Sequence, residues 1–251
     1  MPKAKRTRKP ATAPAGVAAA TGFLADSAAA RPLASLVFLS PVLVIYVVGL
    51  IWVRPDMAAT ADIWLREGMK LVGISGVLAP TWLAVAVLLV WHLVRRDPWQ
   101  VSGSLLGLMA AETVFLCVPL FLAMFFFHGV PQGVVHTAPI PWLEVVMTSI
   151  GAGLYEELLF RLLLVGGALF VLSHILKDHS LGARLAVVLI AAALFAGAHE
   201  TNPANFLWAR FLFRSAAGIY LGYVFVYRGF GVVTGVHIVF DLVVKVADAI
   251  A

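Results

Sequence analysis

The chain has 251 residues, of which 62% are hydrophobic and only 12% are charged, and its mean hydropathy is +0.97. A soluble globular protein is about half apolar and about a quarter charged, so this composition excludes an ordinary soluble enzyme. The apolar residues form long uninterrupted runs. This pattern indicates that a lipid bilayer surrounds much of the chain.

The net charge of +5 has its origin in the N-terminal tail. Five of the first ten residues are Lys or Arg and none is acidic, whereas the rest of the chain holds 13 basic and 13 acidic residues. A basic tail before a first membrane span is typical of a cytoplasmic anchor at anionic lipid. Residues 1–31, rich in Ala and Pro, are therefore predicted to be a disordered cytoplasmic tail. Nucleic acid is not an expected partner, because no folded basic surface accompanies the tail.

Apolar runs of about 20 residues are long enough to cross a bilayer as helices. Seven runs follow one another, so the predicted fold class is all-α, a polytopic membrane bundle of seven helices, or eight if the long fourth run divides. Residues 32–141 would form the N-terminal transmembrane helices and residues 142–251 a catalytic core. The predicted spans are Leu33–Val53, Leu71–Val94, Ser104–Phe127, Trp142–Leu172, Ala183–His199, Asn205–Tyr227 and Phe230–Val246.

The distribution of Lys and Arg predicts the orientation of the bundle. Arg95 and Arg96 follow the second span, and the loop from His128 to Pro141 contains neither Lys nor Arg. Because cytoplasmic loops of membrane proteins are enriched in basic residues, the N-terminus is predicted to be cytoplasmic. We expect a multi-pass protein of the bacterial inner (plasma) membrane.

Three ionisable residues lie within the fourth run, where each costs about a few kcal/mol at mid-bilayer. Glu157 and Arg161 are four residues apart and share one helix face, so we expect an ion pair. Glu156 lies on a neighbouring face and has no such partner. A purely structural ion pair needs only one acid and one base. The second carboxylate therefore indicates chemistry, and a structural cluster of all three residues is the alternative.

Histidines occur in two later spans. His199 ends the fifth run, and a His-Glu-x-x-His zinc signature is excluded because position 203 is proline. His237 and Asp241 are four residues apart in the seventh run and project from one helix face. Polar side chains on an apolar helix need a partner or water, and structural hydrogen bonding is the alternative to a catalytic role.

Other charged residues in the spans are interpreted differently. Glu112 in the third run is predicted to pair with Arg210 or Arg214 in the sixth. Arg214 could instead hold a carboxylate of the substrate. The only cysteine, Cys117, is interpreted as a small buried hydrophobic residue.

Together these residues predict a hydrolytic site. A buried carboxylate beside a neutral histidine can take a proton from water, and the resulting hydroxide can attack a peptide carbonyl. Hydrogen-bond donors must then stabilise the oxyanion. No Ser or Cys stands next to a base, so a covalent mechanism has little support. The predicted catalytic residues are Glu156, His199, His237 and Asp241, and the predicted supporting residues are Glu157 and Arg161.

The depth of these residues is a difficulty. With a rise of about 1.5 Å per residue, straight perpendicular helices would place His199 nearer the outer membrane surface than Glu156. The two side chains would meet only if the helices were tilted or the fifth span ended elsewhere.

Three motifs follow one another in the predicted core. They are Glu-Glu-x-x-x-Arg at Glu156–Arg161, Phe-x-x-x-His at Phe195–His199 and His-x-x-x-Asp at His237–Asp241. In this order they resemble the CAAX-protease and bacteriocin-processing (Abi) family of glutamic intramembrane endopeptidases. The resemblance covers roughly residues 142–246, and the last motif accepts Asn or Asp in the family.

The resemblance implies roles for these residues. Glu156 would activate water with help from His199, and His237 and Asp241 would form the oxyanion site. The substrate would be a membrane-anchored protein or peptide cut near its C-terminus. It could be a prenylated protein, a bacteriocin precursor or a C-terminal sorting tail. No metal ion and no cofactor is expected.

Other functions compatible with the sequence stay open. Two Glu, two His and one Asp could bind a divalent cation, which would make the protein a metal-dependent membrane protease. A non-enzymatic immunity or scaffold protein could keep the same fold, because a fold does not guarantee activity. A transporter would be indicated by inverted repeats, and the sequence contains none that we detect.

Overall fold

The computed structural model describes residues 27–50, 60–127, 142–200 and 206–250, and within these segments all regular elements are helices. The predicted all-α class is confirmed. The helices are α1 (Pro32–Gly49), α2 (Thr60–Leu71), α3 (Ala79–Arg95), α4 (Gly103–Leu116), α5 (Val118–Phe126), α6 (Trp142–Ile175), α7 (Leu181–Ala198) and α8 (Trp208–Ile250).

In the described part of the chain, five helical stretches are long and apolar enough to cross a membrane, namely α1, α4 with α5, α6, α7 and α8. The apolar helix α3 has 17 residues. Helix α8 has 43 residues and breaks at Gly229, whose φ of 82° is readily adopted only by glycine. Its two arms are α8a (208–228) and α8b (230–250). The described residues thus contain seven apolar segments, in agreement with the predicted bundle of about seven helices.

Proline and serine set several helix boundaries. Pro32, Pro80 and Pro119 lie in the first turns of α1, α3 and α5. Proline lacks a backbone N–H, but in a first turn that N–H would have no intrahelical partner, so no hydrogen bond is lost. Ser102 and Ser180 cap α4 and α7 by accepting a hydrogen bond from the backbone N–H three residues further on.

The second span begins later than the sequence predicted. Leu71, its predicted first residue, is the last residue of the separate helix α2, and the span itself begins at Ala79. Between them Gly76 has a φ of 135°, which a helix cannot contain. A turn of this kind is not visible in hydropathy, because the residues around it are apolar as well.

The predicted N-terminal tail lies mostly outside the described residues. At its end, however, Ala28–Ala30 form a short 3₁₀ turn with Ala29 and Ala30 buried. This turn packs so closely on Gly229 that a Cβ there would lie 2.6 Å from the Cα of Ala30. Disorder was therefore the wrong prediction for Ala28–Ala30, because small residues on both sides allow close packing.

One buried apolar core joins the first helices to the last. It includes Leu39 of α1, Leu88 of α3, Leu154 of α6 and Val236 of α8b. The described helices of the predicted N-terminal region (residues 32–141) therefore pack against those of the predicted catalytic core. This packing surrounds the middle of α6, where the polar residues lie.

Candidate active site

Glu156 and Glu157 lie near the middle of α6, where the hydrogen-bonding pattern of the helix changes. Trp142–Glu156 is α-helical, and Glu157–Gly166 forms a π-helix. π-Helical turns are rare and occur frequently at functional sites. Both glutamate side chains are buried, so they face the inside of the bundle.

Glu157 bridges two basic side chains. Its Oε2 lies 3.2 Å from Nε of Arg161, as the i,i+4 spacing predicted. Its Oε1 lies 2.7 Å from Nδ1 of His237, a contact that the sequence did not predict. An ionised carboxylate only accepts hydrogen bonds, so the Nδ1–H of His237 donates to Glu157. This bond directs Nε2 of the ring towards Glu156.

Arg161 is held from three sides. Besides Glu157, its Nη2 donates to the carbonyl oxygen of Gly218 at 3.4 Å, and its guanidinium lies 4.4 Å above the ring of Phe195. The side chain is 2% exposed. A buried charge requires such compensation, so Arg161 fixes α6 relative to α7 and α8a.

Glu156 lies between two imidazole rings. Its Oε1 is 3.4 Å from Nε2 of His199, and its Oε2 is 3.7 Å from Nε2 of His237. The Nδ1–H of His199 donates to the carbonyl oxygen of Phe195 at 2.8 Å, so its Nε2 is the nitrogen left to exchange a proton. Two acceptor atoms this close need a proton or a water molecule between them. The arrangement therefore suits proton transfer.

Asp241 completes the predicted group. Its Oδ1 lies 3.7 Å from Nε2 of His237, one helical turn earlier in α8b. Its Oδ2 lies 3.3 Å from Nζ of Lys245. All four predicted catalytic residues are thus brought together by α6, α7 and α8b. Sequence reasoning missed Lys245, although its i,i+4 spacing from Asp241 was a usable signal.

The two sides of the site differ in exposure. Glu157 is fully buried, whereas the side chains of His199 and Asp241 are 26% and 22% exposed. Water or substrate would therefore reach the site from the side of His199 and Asp241. Among the described residues, no group of three or more His, Cys, Asp or Glu side chains is arranged to hold a metal ion.

The expected difference in depth between Glu156 and His199 is absent. Glu156 lies 19 residues before the end of α6 at Ile175, and His199 lies 18 residues after the start of α7 at Leu181. Helices α6 and α7 follow each other through a short loop, so arms of similar length bring the two side chains to one level. The expectation was wrong because depth along two consecutive helices is set by the distance of each residue from the loop that joins them, and these two distances are nearly equal.

Arg214, the predicted substrate-binding residue, lies in a cluster with Glu200 and Arg210. Both arginines donate to the Glu200 carboxylate, Arg210 at 2.6 Å and Arg214 at 2.7 Å. The hydrogen bond from Arg210 holds the pKa of Glu200 below its ordinary value. Arg214 also interacts electrostatically with Glu156, so the cluster lies next to the site. Sequence reasoning had not singled out Glu200.

The prediction that Glu112 pairs with Arg210 or Arg214 was wrong. Glu112 forms a bidentate ion pair with Arg228, at the end of α8a, and not with Arg210 or Arg214. All three arginines lie on α8a, but α4 reaches the end next to Gly229, whereas Glu200 occupies the other end. Cys117 is buried, as predicted.

The fold and the site define a polytopic helical membrane protein with a buried centre of two glutamates, two histidines and an aspartate. Residues 138–243 match the family model described as Rce1-like, type II CAAX prenyl endopeptidase, and this range includes every predicted catalytic and supporting residue. Over this range the chain is similar to that family of CAAX-type membrane proteases, in agreement with the resemblance that its motifs indicate. No curated protein and no solved structure matches the chain.

Proposed function

We propose that this protein is an intramembrane endopeptidase in which Glu156 acts as the general base. The observation that carries the proposal is the position of the Glu156 carboxylate between the Nε2 atoms of His199 and His237. Each imidazole comes from a different helix, and each is oriented by a hydrogen bond from its Nδ1–H. Two oriented imidazole rings around one carboxylate suit proton transfer better than a purely structural role.

In the proposed reaction, Glu156 takes a proton from a water molecule with the help of His199. The oxygen of that water attacks the carbonyl carbon of the scissile peptide bond and forms a tetrahedral intermediate. The C–N bond then breaks, and the proton held by Glu156 and His199 passes to the leaving amine. The products are a new carboxylate and a free amine.

His237 and Asp241 are proposed to form the oxyanion site. Because the Nδ1–H of His237 is bonded to Glu157, its Nε2 donates to the oxyanion only when the ring carries both protons. Asp241, as a carboxylate 3.7 Å from that nitrogen, attracts the positive charge of the doubly protonated ring. Glu157 and Arg161 support the site by fixing His237 and α6.

The proposed substrate is a membrane-anchored protein or peptide that is cut near its C-terminus. A terminal carboxylate of the substrate would bind at Arg214, because this arginine lies next to the site and a guanidinium can bind a carboxylate through two hydrogen bonds. We further propose that the protein resides in the bacterial plasma membrane with its N-terminus in the cytoplasm.

The test is an assay with purified protein in lipid nanodiscs. Probes are a fluorogenic peptide with a farnesylated C-terminal CAAX sequence and its unfarnesylated form. A general base contributes about 10²–10⁴-fold to the rate, so Glu156→Gln should lower cleavage by at least that lower factor. Glu144→Gln, which changes a partly exposed glutamate in the first turn of α6, is the matched control and should cleave normally.

Two outcomes would contradict the proposal. Normal cleavage by Glu156→Gln would show that Glu156 is not the general base. Loss of wild-type cleavage in chelator, restored by added Zn²⁺, would favour metal-dependent hydrolysis instead.

A further inference from the structure

Lys245 lies two residues beyond the part of the chain that matches the family model. We propose that Lys245 is a positioning residue that offsets the charge of Asp241 and so allows an aspartate to serve in the oxyanion site. The inference rests on the proposed function. It concerns how this chain uses Asp where the motif also accepts Asn.

The arrangement of charge around His237 makes such an offset necessary. Three carboxylates surround its ring: Glu157 at Nδ1, and Glu156 and Asp241 both 3.7 Å from Nε2. An oxyanion forming beside Nε2 would add a further negative charge. Arg161 balances the charge of Glu157 on the buried side of the site, and Arg214 interacts electrostatically with Glu156. Neither of them is the partner of Asp241. A neutral asparagine would avoid the problem and would also supply an N–H donor.

Lys245 provides a positive charge next to Asp241. Its Nζ lies 3.3 Å from Oδ2 of Asp241, the oxygen that does not face His237. The same ammonium donates to Oγ1 of Thr148 on α6 at 3.5 Å. The Thr148 hydroxyl donates to the backbone carbonyl oxygen of Glu144, which leaves its oxygen free to accept from Lys245. Contacts on two helices therefore locate the ammonium, and Asp241 lies between it and His237.

An ordinary surface ion pair would look different. The Glu67–Lys70 pair on α2 has side chains 61% and 55% exposed, and its ammonium donates to a residue of the same helix. Lys245 is 33% exposed and Asp241 is 22% exposed, so water screens this pair less. An effect on the reaction is expected for Lys245 and none for Lys70.

The test is a double-mutant cycle on the farnesylated peptide assay. Lys245→Met in the Asp241 background should lower kcat by about tenfold or more and leave KM within about threefold. Lys245→Arg should restore most of kcat, because it keeps the charge. In the Asp241→Asn background, Lys245→Met should change kcat by less than about threefold. Lys70→Met is the control, and melting temperatures in detergent show whether any variant is misfolded.

Equal losses from Lys245→Met in both backgrounds would overturn the inference, and so would no loss in the Asp241 background. A loss that follows the melting temperature and is not restored by Lys245→Arg would assign Lys245 to stability alone and would also overturn it. The proposed function is tested by a different variant, because its failure would appear as normal cleavage by Glu156→Gln.

Discussion

Glu157 and Arg161 form a fully buried ion pair, and their removal should affect stability in a non-additive way. Glu157→Gln leaves the charge of Arg161 buried without its counterion, a change that costs about 3–5 kcal/mol. In the double variant Glu157→Gln, Arg161→Met, that charge is absent. We expect thermal unfolding in detergent to show a double variant at least as stable as Glu157→Gln alone.

The exposed pair Glu67–Lys70 is the control for this cycle. Its single variants should each change stability by less than about 1 kcal/mol and should combine additively. Additive losses at Glu157 and Arg161 would mean that the two side chains are not coupled, contrary to their 3.2 Å contact.

At the same scale, the sequence predicts local pairs better than distant ones. The pairing of Glu157 with Arg161 follows from four-residue spacing on one helix. The bond between Glu157 and His237 joins helices 80 residues apart in the chain and depends on their relative rotation. Glu112 was assigned to the wrong arginine for the same reason: hydropathy identifies α8a but not which of its ends meets α4.

At the scale of helices, the approach of α6 to α8b depends on Gly153. A Cβ at this position would lie 2.9 Å from the backbone nitrogen of Ile238 and 2.5 Å from its Cγ1. Ile238 follows His237, so Gly153→Ala should push His237 away from Glu156. We expect loss of cleavage together with a lower melting temperature.

Gly167→Ala is the matched control, because a Cβ at Gly167 has no atom within 4 Å. An alanine in an exposed helix is favoured over glycine by about 0.5–1 kcal/mol, so this variant should keep activity and be at least as stable. Equal behaviour of the two alanine variants would show that close packing at Gly153 does not position the site.

The helix boundaries explain why the expected difference in depth is absent. Hydropathy ends the fourth span near Leu172, because it measures apolarity and not helix continuity. The structure continues α6 to Ile175 and caps α7 with Ser180, and these ends set the level at which Glu156 and His199 meet. The number and order of the apolar helices, by contrast, follow from the sequence, because each needs about 20 apolar residues.

At the scale of the whole molecule, the orientation in the membrane stays a prediction from the basic residues. Two cysteine variants test it, since the only native cysteine, Cys117, is buried. A membrane-impermeant maleimide should label Gln132→Cys in intact cells and should label His179→Cys only after permeabilisation. His179 is exposed in the loop between α6 and α7, so its labelling should be efficient once reagent can reach it.

The opposite labelling pattern would place the N-terminus outside. Labelling of neither variant before permeabilisation would show that the loop between α5 and α6 does not cross to the outer side. The parent chain, with Cys117 alone, should stay unlabelled in both conditions.

The most direct test of the central claim, that Glu156 is the base of an intramembrane endopeptidase, is mass spectrometry of membrane-protein C-termini in cells. Cells that carry the wild-type protein or Glu144→Gln should contain proteins with shortened tails, and cells that carry Glu156→Gln should contain the same proteins at full length. The account would be contradicted if Glu156→Gln, present at the same level in the membrane, produced the same shortened tails as the wild type.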